Sequence, residues 1–340
     1  MRYRFEFRHY RRRFKQPLRT SHGSWDVREG IILRLRDETS RASWGEIAPL
    51  SWFGSETLEQ ALDFCRQLPA EITTETIFSI PVALPACQFG FESAWEALSC
   101  DNCGNRPSVA LAAGEAERER DSALDAKSAK VGIVRHSTFA YSGLLPAGEA
   151  ALDQWQILWN QGYRTFKWKI GVAPIQEELK VFHQLVKALP KSARLRLDAN
   201  GGLGVKSASF WLQACDPVGI EFLEQPLPVE QFDAMLELST RYSTLLALDE
   251  SVARFEQLQA SYQQGWRGVF VIKPCIAGSP SRLRQFCREH EIDAVFSSVF
   301  ETAIGRCAAL KLAAENNRYN RALGFGISHW FDEDDEICLR

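Results

Sequence analysis

The chain has 340 residues, room for a barrel-sized domain and a smaller companion. Hydrophobic residues make up 45% and charged ones 24%, and the net charge of −3 gives no general reason to expect nucleic acid or an anionic membrane as partner. There is no bilayer-spanning apolar run and no low-complexity tract, and the opening Met1-Arg-Tyr-Arg-Phe-Glu-Phe-Arg-His-Tyr lacks a signal peptide's apolar core, so the cytoplasm is the expected location.

Residues 1 to about 36 alternate apolar and polar positions, as in Tyr3, Phe5, Phe7 and then Ile31-Ile-Leu-Arg-Leu-Arg. That period predicts strands of an antiparallel sheet. Between them lies a turn-rich loop, Phe14-Lys-Gln-Pro-Leu-Arg-Thr-Ser-His-Gly-Ser-Trp, which contains Arg19, Thr20 and His22. Its neighbour, Arg8-His-Tyr-Arg-Arg-Arg-Phe-Lys, is the best evidence for a nucleic-acid binder; solvated arginines on a strand are the favoured reading, because the rest of the chain is not basic. Residues 57–66 and 79–96 read as helices, completing an α+β domain over 1–98. The stretch 99–130, rich in Ala, Glu, Ser, Arg and Asp, reads as a linker or insertion. It holds Cys100-Asp-Asn-Cys103, but no second pair exists to complete a zinc site, and nine cysteines, an odd number, make a disulfide framework a poor reading.

From Val131 short apolar runs alternate with amphipathic stretches. The runs are Val131-Gly-Ile-Val, Thr165-Phe-Lys-Trp-Lys-Ile, Arg194-Leu-Arg-Leu-Asp, Ile220-Glu-Phe-Leu-Glu, Leu245-Leu-Ala-Leu-Asp, Val269-Phe-Val-Ile-Lys, Ala294-Val-Phe-Ser-Ser and Ala322-Leu-Gly-Phe-Gly. Helical patterns lie between them, at 176–189, 229–242 and 281–291. This alternation predicts an α/β fold, a (β/α) TIM-type barrel over 131–326. The acidic tail, 327–340, is expected to return to the first domain.

Charged residues stand where the apolar runs stop. Asp198, Glu224 and Asp249 end three successive runs at intervals of 26 and 25 residues, close to one βα unit, which places them side by side at one height. Taken singly, each reads more readily as a helix cap or surface residue. Three crowded carboxylates repel unless a hard divalent cation such as Mg²⁺ joins them. Lys167 and Lys169 share one strand face, and Lys273 ends another run. A lysine within a β-run is costly without a partner or a task. A carboxylate substrate on Mg²⁺ has its α-proton acidified, and a nearby lysine can remove it. The histidines show no metal-ligand pairing, and Gly201-Gly-Leu-Gly lacks the spacing of a dinucleotide-binding loop.

Lys167-Trp-Lys169, Asp198-Ala-Asn, Glu224-Gln-Pro, Asp249-Glu-Ser and Ile272-Lys273-Pro together resemble the muconate-lactonizing subgroup of the enolase superfamily, over the whole barrel and with the N-terminal part as its capping domain. Arg196, the segment Ser297-Ser-Val-Phe-Glu-Thr-Ala-Ile-Gly305 and Pro17-Leu-Arg-Thr are similar to the dehydrating branch of that subgroup. The resemblance implies loss of water from 2-succinyl-6-hydroxy-2,4-cyclohexadiene-1-carboxylate in menaquinone or phylloquinone biosynthesis. By it, Asp198, Glu224 and Asp249 hold Mg²⁺, Lys169 takes the α-proton, and Lys273 stabilises the enediolate. Lys167 assists near the metal-bound carboxylate, and Arg196 orients Lys169. Ser297 and Ser298 meet the succinyl carboxylate, with Arg19 and Thr20 on the substrate loop. No protein partner is implied. Racemases, dipeptide epimerases and cycloisomerases of the subgroup are the competing reading, since Lys169 and Lys273 could serve opposite faces of a carbon. Two departures stand out: Gly201-Gly-Leu-Gly, where relatives often carry a bulkier residue, and the 100–130 segment.

Overall fold

The computed structural model describes residues 1–20, 23–99, 139–326 and 330–331. The run at 131–134, the Cys100/Cys103 pair, His22 and most of the acidic tail lie outside the described residues, as do the side chains of Arg19 and Thr20.

The N-terminal sheet contains β1 (Arg2–Thr20), β2 (Gly23–Arg36), β3 (Ala42–Ile47) and β4 (Glu71–Thr73) in the order β3-β2-β1-β4. β1 and β2 form a long antiparallel hairpin with Phe5 opposite Leu35 and Phe7 opposite Leu33. The period-two pattern buries Tyr3, Phe5, Ile31, Leu33 and Leu35 on one face. The helix Pro85–Ser99 lies on that face so closely that a Cβ at Gly45 would stand 2.1 Å from the Gly90 carbonyl oxygen. Thr57 and Gln60 form a capping box that starts the helix Leu58–Gln67. The helix expected over 79–96 begins only at Pro85 and runs to Ser99, and a separate short helix, Thr74–Phe78, precedes it. Pro81 and Pro85 supply no amide hydrogen, so the first helix cannot run into the second.

The second sheet holds β5 (Ser142–Leu145), β6 (Thr165–Lys169), β7 (Arg194–Asp198), β8 (Phe222–Glu224), β9 (Leu246–Leu248), β10 (Val269–Ile272) and β11 (Ala294–Phe296). All seven are parallel and hydrogen-bonded in chain order. Leu323 and Gly324 close the ring. They bridge Tyr141 on one side and Ser297 on the other, the Gly324 amide donating to Phe296 O at 2.8 Å and the Ser142 amide to Leu323 O at 2.9 Å. Among the described residues β5 is thus the first strand of the ring. Its Ser-Gly-Leu-Leu carries too short an apolar run to stand out in the sequence.

Alternation along the strands sorts the barrel's side chains. Phe222, Ala247, Val269, Val271 and Val295 form a small apolar cluster of their own in the interior. Phe166, Trp168, Leu195, Leu197 and Phe270 point outward into the main core against the helices. Trp168 and Phe182 both meet Trp211 there, edge to face. Trp330 and Phe331 lie against the first sheet, with ring centroids 6.3 and 4.7 Å from that of Phe14.

Candidate active site

Lys169, Asp198 and Glu224 stand at one level of the barrel, in direct register. Even spacing predicts the same level for Asp249, but Asp249 does not share it. Glu224 pairs with Ala247, which leaves Asp249 two residues further along. Strands in a closed barrel tilt and stagger, so even spacing in sequence becomes a spiral of side chains around the rim. All three carboxylates are nonetheless buried, at 7%, 1% and 3% exposure for Asp198, Glu224 and Asp249.

Two lysines hold this charge. Lys167 Nζ donates to Glu224 Oε1 at 2.6 Å and lies 2.7 Å from Asp198 Oδ2. Lys273 Nζ is paired with Asp249 and sits 3.9 Å from the centroid of the Phe53 ring. Burial alone would lower the Lys167 pKa, but Asp198, Glu224 and Asp249 outweigh it and hold it above the usual lysine range. Burial pushes the Glu224 carboxyl up, and its neighbour Asp198 adds to this. Lys169 differs from the other two: among the described residues its ammonium has no hydrogen-bond or ion-pair partner.

Two residues passed over in the sequence complete the site. Gln225, fully buried with φ +34°, accepts from the amides of Asp249 and Ser251 at 3.0 and 3.2 Å and donates to Ser251 Oγ at 2.8 Å. It fixes the turn that carries Asp249. Glu250 has one oxygen on Asn200 Nδ2 at 3.3 Å, while its Oε2 is buried with no partner. Burial, with Asp249 and Asp198 close by, pushes Glu250 up to about 7. The signal was present in Asp249-Glu-Ser, a second carboxylate next to the first. Gly201 sits in the turn after Asp198 at φ +69°, its amide donating to Gln225 O at 2.7 Å, so that glycine serves the backbone of the rim.

These residues fit a divalent cation. Four carboxylates, Asp198, Glu224, Asp249 and Glu250, face two paired ammoniums, and one buried carboxylate oxygen is orphaned. Among the described residues no three His, Cys, Asp or Glu side chains are gathered closely enough to hold a metal ion as they stand; Lys167 lies between Asp198 and Glu224, and Lys273 is on Asp249. An all-oxygen donor set with this excess of negative charge suits Mg²⁺.

The remaining expected site residues are placed differently. Arg196 faces the barrel interior, its guanidinium carbon 4.8 Å from the centroid of the Phe222 ring, and its Nε donates to Glu221 Oε2 at 2.7 Å. Arg321 joins the same Glu221 at 2.8 Å and Asp293 at 2.6 Å, so Arg196 is part of an ionic floor under the barrel. Ser298 donates its hydroxyl to Glu301 Oε2 at 2.8 Å and accepts from the Phe300 amide at 2.9 Å. Its hydrogen is spent inside the loop. The Ser297 hydroxyl, among the described residues, makes one long contact, 3.4 Å to Gly324 O.

The chain belongs to the enolase superfamily: residues 150–337 match the family described as Enolase C-terminal domain-like, and residues 7–98 match the MenC, N-terminal domain. Within that superfamily its relatives include o-succinylbenzoate synthases along most of the chain and chloromuconate cycloisomerases along about half of it. It is 40% identical over 332 residues to the o-succinylbenzoate synthase of Thermosynechococcus vestitus, covering 96% of this chain and 93% of that protein. It is 29% identical to the o-succinylbenzoate synthase of Yersinia pseudotuberculosis, covering 84% of this chain and 79% of that one. The crystal structure of o-succinylbenzoate synthase from Thermosynechococcus elongatus, complexed with Mg in the active site, superposes with a TM-score of 0.81 at 38% identity, covering 97% and 94% of the two chains. The L-Ala-D/L-Glu epimerase of Bacillus subtilis shares the fold, with a TM-score of 0.71 at 16% identity over 97% and 91% of the chains.

Proposed function

We infer that this chain is a Mg²⁺-dependent carbon–oxygen lyase that dehydrates 2-succinyl-6-hydroxy-2,4-cyclohexadiene-1-carboxylate to o-succinylbenzoate, on the route to menaquinone or phylloquinone. The observation that carries it is near full-length identity to a synthase of that product, on a barrel whose rim gathers Lys169, Asp198, Glu224, Asp249 and Lys273.

Asp198, Glu224 and Asp249 would hold the Mg²⁺, with Glu250 adding charge beside them. When bound, Mg²⁺ draws charge from the substrate carboxylate and acidifies the neighbouring C–H. The work of the chain's own residues follows from their placement. Lys169, without an ion-pair partner among the described residues and in register with Asp198, takes the α-proton. The electron pair left behind moves into the ring as the C6–O bond breaks. The departing hydroxide takes the proton back from the Lys169 ammonium, so one water leaves, and the ring becomes aromatic. Lys273 faces the charge that develops on the carboxylate oxygens, where a fixed cation counts most. Lys167, anchored on Asp198 and Glu224, keeps the rim's charge balanced. We assign the succinyl carboxylate to Ser297 rather than Ser298, whose hydroxyl is donated to Glu301, and keep Arg19 and Thr20 as candidate contacts. Arg196 reaches Lys169 only through the interior wall, as a support from below. We place the reaction in the cytoplasm and assign it no obligate protein partner; no helix among the described residues is long and apolar enough to cross a membrane.

The test is an ultraviolet assay of the purified protein with the cyclohexadiene carboxylate, in Mg²⁺ and in chelator. Metal-dependent loss of diene absorbance, with o-succinylbenzoate as product, is the expected result. Absence of turnover in fresh Mg²⁺, with racemisation of N-acylamino acids or dipeptides instead, would replace this reading with the epimerase one.

A further inference from the structure

We propose that Phe53, contributed by the N-terminal domain, is a positioning residue for Lys273. The proposal rests on the reading of Lys273 as the cation that meets the developing negative charge.

Phe53 ends a single turn, Ser51–Phe53, just after β3. The turn closes through Gly54 at φ +119°, a backbone conformation that favours glycine, and a Cβ there would come within 3.3 Å of Ala253 Cβ. The turn is thus seated on the loop that follows Asp249. The Leu50 amide donates to Ser55 Oγ at 2.7 Å, tying its two ends. Behind the ring stands a row of edge-to-face aromatic contacts: Phe53 to Trp52 at 5.9 Å, Trp52 to Trp25 at 5.9 Å, and Trp25 to Phe300 at 5.6 Å. The ring is buried and held, and its face is turned to Lys273 Nζ at 3.9 Å.

Asp249 cannot neutralise both Lys273 and a divalent cation. An aromatic face resolves the conflict, because its quadrupole attracts an ammonium without adding a formal negative charge to a crowded rim. Phe53 therefore holds Lys273 over the site while Asp249 serves the metal. The N-terminal domain supplies this ring, so the docking of the two domains places the cation.

The test replaces Phe53 with mono-, di- and trifluorophenylalanine, which drain the ring's quadrupole with little change in shape. The kcat of the dehydration is expected to fall stepwise, by roughly tenfold at the trifluoro ring, with KM and Tm almost unmoved. Phe53→Trp is expected to keep kcat near that of the parent. A flat fluorine series, with Lys273→Ala inactive, overturns the positioning role and leaves the reading of Lys273 standing. Full activity in Lys273→Ala sinks that reading and the proposal with it.

Discussion

Lys169 separates the residue scale from the others, because its environment sets its task. Lys167 and Lys273 are neutralised by carboxylates, whereas Lys169 has no such partner among the described residues. An amine free to lose and regain a proton is what the elimination needs. Lys169→Ala is expected to lower kcat by about 10²–10⁴-fold, the usual contribution of a general base, with an unchanged circular-dichroism spectrum. Activity within a few-fold of the parent would remove Lys169 from the reaction. The positions of Asp198, Glu224, Asp249 and the lysines were legible in the sequence, because a charge at the end of an apolar run stands out. The commitments of Arg196 and Phe53 were not, since nothing local shows that an arginine will lie on Phe222 or a phenylalanine meet a lysine of the other domain. Ser298 and Glu250 did have local signals, in Glu301 three residues on and in the adjacent Asp249, but their meaning depends on how the loops fold around them.

At the scale of elements, strands with a continuous apolar run declared themselves, the closing run at Leu323–Gly324 among them, and β5 did not. β5 is short and glycine-bearing, and pairing on both sides makes it part of the barrel. The floor of the barrel depends on contacts of the same long-range kind. Glu221 is buried, which works against its charge, but Arg196 and Arg321 outweigh burial and hold its carboxyl below the ordinary glutamate range. A depressed carboxyl contributes stability that is full above its unfolded pKa, about 4.3, and is lost as the pH falls through the folded value. Glu221→Gln is therefore expected to cost about 3 kcal/mol at pH 7, the scale for breaking a buried pair, measured by urea unfolding. The difference between variant and parent should shrink towards nothing as the pH falls below about 4. A cost that is the same at every pH would mean that packing, not charge, explains the floor.

The join between the domains is made by single side chains reaching across it. Glu46 of β3 is wholly buried and accepts from Tyr10 Oη at 2.6 Å, from the amides of Thr302 and Gly305, both at 2.9 Å, and from the Thr302 hydroxyl. A carboxylate from one domain thus satisfies the orphan amides at the start of the helix Ala303–Asn316 in the other. Glu46→Ala strands those donors, and a loss of roughly 3 kcal/mol is expected on unfolding. KM should rise as well, because the same loop carries Ser297. An unchanged KM in a variant that still folds would uncouple the latch from the substrate site.

The metal acts at the scale of the whole molecule, because the ligands proposed for it stand at the ends of three successive strands and come together only when the barrel is closed. In the metal-free state the folded chain bears the repulsion of buried carboxylates that Lys167 and Lys273 only partly offset. Mg²⁺ binds the folded form and has no matching site in the unfolded one, so it must raise Tm. At a hundred times its dissociation constant the gain is about 2.7 kcal/mol. Asp249→Asn keeps the shape of the side chain and the backbone bond to Gln225 but removes a charge from the donor set. Its Tm without metal sets a separate baseline, because relief of carboxylate repulsion and loss of the Lys273 pair act in opposite directions. Its gain on titrating Mg²⁺ should appear only at higher concentration. Thermal unfolding of both proteins across a Mg²⁺ series reads this without any substrate. Coincident gains in Tm, each measured from its own metal-free baseline, would show that Asp249 is not a ligand, whatever its effect on turnover.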